Sequence, residues 1–303
     1  MLFIEQLLNG VQLGIMLFLM SAGLTLVFGI MQVINLAHGS FYMIGAYLGA
    51  TVAAATGSFV LAVLAAVTGA GIAGCIVELL VLRRLYDREH LDQVLATFGL
   101  IMFANELTRI IWGRQPLFMD VPSRLANSVE LFPGLYYPAY RLAIIGVGAV
   151  VALGLWLLFA YTKTGMRIRA GAANRTMAGA LGVNINLLYT LVFGLGSLLA
   201  GLAGVMAGPI LAVEAGMGEN ILIYTFVVIV IGGIGSIRGA VAGALLVGLV
   251  DTLGRAFLPT LLRSIMAGAT ADSVGASLAS MAIYILMAFI LVVRPRGLFP
   301  AHG

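Results

Sequence analysis

Long apolar runs alternate along the chain with short stretches where Arg, Gly, Pro and Asn gather. Residues 1–30 are interrupted only by Glu5, Gln6, Asn9 and Gln12, and about 20 apolar residues suffice to cross a bilayer. No basic residue occurs before Arg83, so this stretch lacks the positive flank of a secretory signal. It reads as a retained helix with its N-terminus on the outer face. A polar interruption at 32–40 precedes the short apolar run 41–55, Gly57 and Ser58 predict a turn, and 59–82 is a further span.

The charged stretch 83–92 predicts a cytoplasmic loop, from which 94–112 returns outward. Residues 115–138 hold Pro116, Pro122, Pro133 and Pro138 with Tyr136 and Tyr137, which predicts an external loop or short surface helix with interfacial aromatics. Residues 141–161 cross inward, 186–213 outward and 221–234 inward. The glycines of 232–239 then break the path, 241–258 lead outward, 259–277 form a polar outer loop, and 278–293 bring the chain back to a basic, cytoplasmic tail. The predicted fold is an all-α polytopic transmembrane bundle of eight or nine segments with broken helices, in a single domain over 1–303. Nine crossings follow if 41–55 spans fully; if it pairs with the preceding break as a re-entrant segment, the count is eight and the N-terminus moves inside.

Composition agrees with the pattern. The 303 residues are 62% hydrophobic and 9% charged with mean hydropathy +1.11, far from the quarter charged residues of soluble domains. Glycine occurs 39 times, and in apolar helices small residues let backbones approach closely. The net charge of +4 lies at segment ends and reports orientation and partner surfaces, not nucleic-acid binding. Cys75 is the one cysteine, so there is no disulfide framework.

One loop carries more charge than topology needs. Residues 163–186 contain Lys163, Arg167, Arg169 and Arg175 with no acid, and 166–181 is helix-compatible until Gly182 and Asn184 supply a stop. Two readings stand beside each other: a short helix outside the bilayer offered to a partner, and a positive-inside loop that only fixes topology.

Ionisable residues inside the runs fall into neighbouring pairs, Asp251 with Arg255 and Glu106 with Arg109, read as structural pairs near interfaces, while Glu78 is expected to snorkel beside Arg83. His38, His90 and His302 show no metal-ligand spacing, and neither a phosphate loop nor a nucleophile elbow occurs, so no metal, cofactor or enzymatic role is expected and the chain cannot bind ATP through a phosphate loop. Two breaks remain, one with Asn35, His38 and Ser40 and one with Gly232, Gly233, Gly235 and Ser236. Unwound backbone at membrane depth is tolerated only inside protein or beside water, so both are candidates to line a path for a small polar solute. The alternative is that their glycines only permit helix contact, as expected of Gly45 with Gly49, Gly204 with Gly208 and Gly239 with Gly243.

The stretch GLTLVFGIMQVINLAHGSFYMIGAY at 23–47 resembles the N-terminal signature of LivH-type permeases, membrane subunits of branched-chain amino acid ABC importers. The loop RAGAANRTMAGALGVN at 169–184, the motif VVIVIGGIGSIRGAVAG at 227–243 and RPRGLF at 294–299 are similar to later motifs of that family in the same order. The resemblance implies a non-catalytic permease of the inner membrane that pairs with a second, LivM-type permease, two cytoplasmic ATP-binding subunits and a periplasmic solute-binding protein. It implies that Arg169, Ala172, Ala173, Asn174, Arg175, Met177, Ala180 and Gly182 form an ATPase-coupling helix, with Ala172, Ala173, Met177 and Ala180 as its buried strip. The family's acidic pair is replaced here by Ala173 and Asn174, so coupling rests on shape and the arginines. Relatives that carry urea or short amides are an alternative for the solute, and an ion-coupled transporter or channel is the rival class.

Overall fold

In a computed structural model describing residues 2–299, the chain opens with α1 (Leu2–Met31), 30 residues or about 45 Å of helix. It stops because Gln32 takes a left-handed conformation (φ 55°), its N–H bonding back to the Phe28 carbonyl. Residues 32–37 then rise along the interior of the bundle, so that α2 (His38–Thr56) begins beside the middle of α1, with the His38 ring 3.2 Å from the Met20 carbonyl. Gly57 (φ 67°) turns the chain and Ser58 caps α3 (Phe59–Leu80), as the sequence predicted. A short loop leads to α4 (His90–Trp112).

The segment expected to be a loop or surface helix is instead built around a hairpin, β1 (Ser128–Phe132) antiparallel to β2 (Leu135–Pro138). Gly134 makes its turn (φ 82°), and Tyr137 is fully buried with its hydroxyl on Asn9. α5 (Ala139–Tyr161) crosses back with an apolar surface of Val150, Leu153 and Trp156. The basic stretch forms two helices, α6 (Lys163–Ala173) and α7 (Arg175–Ala180). Beyond it lie α8 (Ile185–Ala207), α9 (Met217–Gly232), α10 (Ile237–Leu262) and α11 (Gly268–Val293).

Seven of the described helices are long and apolar enough to cross a membrane. The 19-residue α2 and the 16-residue α9 are not among the seven and start within the bundle. The expected polar outer loop 259–277 is mostly helix: α10 continues through Pro259, and α11 begins at Gly268 because Gly275 lets its backbone lie against Pro259.

The first and last four of the long helices form an inverted repeat. α1, break, α2, α3 and α4 correspond to α8, break, α9, α10 and α11, running in the opposite sense. The pairing is visible residue by residue. Gly23 of α1 meets Gly196 of α8, Gly39 of α2 meets Gly218 of α9, and the Gly57–Ser58 turn before α3 recurs as Gly235 (φ 82°) and Ser236, whose hydroxyl caps α10. α1 packs on α10 as α3 packs on α8, through Gly10 and Gly14 on one side and Ala66 and Ala70 on the other. Lipid removes the hydrophobic drive between helices, so these small-residue seams supply cohesion by close van der Waals contact. One contiguous core, including Phe18, Phe41, Tyr42, Tyr47 and Phe193, fills the space between the two units.

Candidate functional site

The N-termini of α2 and α9 meet inside the bundle. A Cβ on Gly39 would stand 2.2 Å from the Gly218 carbonyl oxygen, and one on Gly218 would stand 2.1 Å from that of Gly39. The first four N–H groups of a helix have no intrahelical acceptor, and they carry the positive end of its dipole. Two such ends therefore face one another well inside the span. Leu36, Gly39, Ser40, Met43, Ile101, Asn105, Gly218 and Glu219 surround the junction, and Asn105 donates to the Glu219 carboxylate in the first turn of α9.

Of the residues singled out in the first break, Ser40 borders the junction, and Asn35 and His38 lie just before and at the start of α2. Asn35 and His38 are fully buried and Ser40 nearly so. Among the described residues neither amide atom of Asn35 has a hydrogen-bond partner, nor has Nδ1 of His38, while its Nε2 sits on the Met20 carbonyl. Each unmet buried polar group costs about 1–3 kcal/mol. A packing role alone would leave that cost without return.

The second predicted break is differently made. Gly232 packs against Gly239, and Gly233 (φ 108°) receives Gly297 against its backbone. The N–H groups of Leu298 and Phe299 donate to the carbonyls of Ile231 and Gly232 at 2.9 Å each. The C-terminal segment thus packs into this break, where Gly232 and Gly233 stand at backbone contacts, Gly235 lies against Gly29 and Ser236 caps α10. Gly45, Gly49, Gly204, Gly239 and Gly243 also stand at close contacts, with Gly201, Val205, Tyr42, Gly232 and Val228 respectively, as expected.

The basic loop departs from the single predicted helix. Asn174 is extended (φ −158°, ψ 101°) and its side chain accepts the Met177 N–H at 2.9 Å, so it ends α6 and caps α7. Ala172, Ala173, Met177 and Ala180 consequently do not form one strip. Gly165, Ile168 and Gly171 pack inward, Ala172 joins the core, and Arg169 bonds back to the Phe159 carbonyl. Ala173, Arg175, Ala180 and Gly182 are exposed, and the largest apolar surface is that of Met177 and Leu181 at 58% and 78% exposure. Asn184 then caps α8 through the Leu187 N–H.

Beside this loop Glu78 is fully buried, not snorkelled. It accepts from Arg83 through Nε at 3.2 Å and Nη2 at 3.1 Å, from the Tyr86 hydroxyl at 2.7 Å and from the Thr190 hydroxyl at 2.7 Å. Burial, then the hydrogen bond to Glu78, raises the Tyr86 phenol far above its usual range. This cluster ties the end of α3 to the start of α8.

Asp251 and Arg255 do pair, Nε to Oδ2 at 2.9 Å, as Arg109 and Glu106 do at 2.5 Å. Asp251, however, lies near the centre of α10 and not near an interface, since the helix runs about eleven residues beyond it. A charge there costs about 2.5–3.5 kcal/mol even on insertion scales. Arg255 also reaches the Tyr224 hydroxyl at 3.1 Å. Tyr224 in turn borders a groove of about 270 Å³ with Tyr42, Leu211, Glu214, Met217 and Asn220. Sequence spacing found the pair but not its depth, and nothing local marked Tyr224 as its partner. His302 lies outside the described residues.

Residues 6–292 match the family described as branched-chain amino acid transport system / permease component. Over 98% of its length the chain is 28% identical to the high-affinity branched-chain amino acid transport system permease protein LivH of Escherichia coli K12, covering 95% of that relative. It is 29% identical over the same shares to the corresponding permease BraD of Pseudomonas aeruginosa. The ribose import permease protein RbsC of Escherichia coli K12 is 24% identical over 77% of the chain and 72% of the relative. No solved structure matches the chain.

Proposed function

Since the chain belongs to the family of branched-chain amino acid transport permeases, we propose that it forms, with a second LivM-type permease, the path for branched-chain amino acids across the inner membrane. It is a multi-pass permease subunit of an ABC importer. Two ATP-binding subunits on the basic, cytoplasmic side drive it, and a periplasmic binding protein feeds it from the hairpin side. The single permease domain extends over 1–303, with 163–186 as its coupling loop.

The observation that carries the path is the meeting of the α2 and α9 N-termini, with the Asn35 amide and the His38 Nδ1 buried and unpaired among the described residues. A zwitterion needs both signs of charge within a few ångströms, and the junction sets the positive ends of two helix dipoles beside the Glu219 carboxylate. Side-chain size would then be read by apolar neighbours such as Met43 and Ile101. Coupling is assigned to α7 and the residues flanking it, where Met177 and Leu181 present apolar surface and Ala173, Arg175 and Ala180 are also exposed.

Purification from native membranes should recover a second permease and an ATPase pair, and reconstituted vesicles should take up leucine only with binding protein and ATP. Asn35→Leu and His38→Leu should lower uptake while the complex still assembles. Full uptake by both variants would remove the path assignment. Absence of ATPase subunits would remove the proposed assembly.

A further inference from the structure

We propose that Arg255, held by Asp251 and Tyr224, is a carboxylate-binding residue on the wall of the translocation path. The proposal rests on the reading above, in which the solute is an amino acid, and adds to it a second contact apart from the helix junction. Its starting point is depth: Asp251 lies near the centre of the 26-residue α10, where hydrocarbon would surround any outward-facing group. Asp251 is 5% exposed and turned inward, yet the Arg255 side chain is 47% exposed. Arg255 stands one turn, about 6 Å, farther along α10 and still within its length, where a guanidinium facing lipid is costly, so this face of α10 is better satisfied by water or protein.

The guanidinium is placed to accept a ligand. Arginine has five N–H donors in a planar fork. Nε is committed to Asp251 Oδ2 at 2.9 Å and Nη2 to the Tyr224 hydroxyl at 3.1 Å, and Nη1 has no partner among the described residues. Asp251 fixes the plane of the fork from one edge, leaving donors on the other, and planar bidentate recognition suits a carboxylate. Tyr224 links this fork to the 270 Å³ groove that also carries Glu214 and Asn220, both exposed. The groove therefore offers an acid and an amide, with the cationic fork beyond the Tyr224 wall. A structural ion pair would need only Asp251 and Arg255; it would not need the tyrosine or the groove.

The test uses the assembled transporter in vesicles. In a Cys75→Ser background, Arg255→Cys should react with a charged, membrane-impermeant thiol reagent, and saturating leucine with its binding protein should slow that reaction. Arg255→Gln should cut leucine uptake about tenfold or more, and Arg255→Lys should recover part of it. Asp251→Asn/Arg255→Gln, which leaves no unpaired charge, guards against misassembly of the single variant and should remain as defective. Uptake of leucine by the unaltered complex, with no labelling and with undiminished transport by the double variant, would overturn the Arg255 assignment alone. Labelling in a complex that drives another solute but never leucine would overturn the amino-acid reading and the carboxylate role with it.

Discussion

Replacing Gly39 by alanine tests the central junction with a single methyl group. That methyl would lie 2.2 Å from the Gly218 oxygen and 2.7 Å from its carbonyl carbon, and both are backbone atoms that no rotamer change can move. Restoring ordinary contact requires the two N-termini to part by roughly 1 Å, a gap that forfeits about a quarter to a half of the dispersion energy along the seam. Overpacking of this kind costs about 1–3 kcal/mol. The same substitution at Gly146 or Gly99 adds a methyl with nothing within 4 Å, and there helix propensity favours alanine by up to about 1 kcal/mol. The sign of the effect therefore reverses between sites for an identical chemical change. Thermal unfolding of the solubilised complex should rank Gly39→Ala below wild type and Gly146→Ala at or above it, and uptake should fall only in the first. Equal stability and uptake for Gly39→Ala and Gly146→Ala would refute the close approach of α2 and α9.

Other consequences can be checked separately. Ala173→Trp, next to the α6–α7 break, should uncouple hydrolysis from uptake or detach the ATPase, whereas Arg175→Ala, an exposed cation worth about 0–1 kcal/mol per contact, should do less; normal coupled uptake by Ala173→Trp would end the coupling assignment. Asn174→Ala should lose the α7 cap and about 1 kcal/mol, seen as faster proteolysis within the loop; an unchanged digestion pattern would count against the cap. Arg83→Ala leaves the Glu78 carboxylate buried without its cation and should destabilise the complex by about 3–5 kcal/mol, with Glu78→Ala/Arg83→Ala recovering part of the loss; additive losses would argue against the pair. Reporters fused after Arg88, Arg175 and Arg296 should read cytoplasm and those after Ser128 and Ala271 the outer side; an external Arg175 would exclude ATPase docking.

The helical class and most segment ends were legible because lipid makes length and apolarity nearly sufficient to define a span. Gly57 and Ser58 were legible for the same local reason, one supplying a positive φ and the other a hydroxyl cap. Errors arose where partners decide. The α6–α7 break at Asn174 looks like helix in a periodicity that counts only apolar positions, yet its amide competes for the Met177 N–H. Residues 268–277 looked like loop because Ser, Thr and Gly are polar or small, but smallness is what lets α11 pack on Pro259. Tyr224 could not be assigned to Arg255 from sequence, since the two are 31 positions apart on different helices.

The arrangement also bears on how work at α7 could reach the junction. Asn184 caps α8 at the end of the four-residue turn 181–184, whose Gly182 and Val183 N–H groups bond back to α7, so a push on α7 passes through that turn into an uninterrupted 23-residue helix. Thr190 ties the first turns of that helix to Glu78, which makes α3 and α8 move together at the basic end. Farther along, Gly201 and Gly204 place α8 against the backbone of α2 at Gly45 and Tyr42. Contacts between glycine faces carry few interdigitated side chains, so the helices can slide or tilt without crossing rotamer barriers. The α2 N-terminus is attached through 32–37 and not through continuous helix, so its place is set by its contact with α9 as well as by α1. A continuous helix in place of the α1–α2 break would bind its own amides at i−4 and resist that motion, losing the exposed donors and the hinge at once.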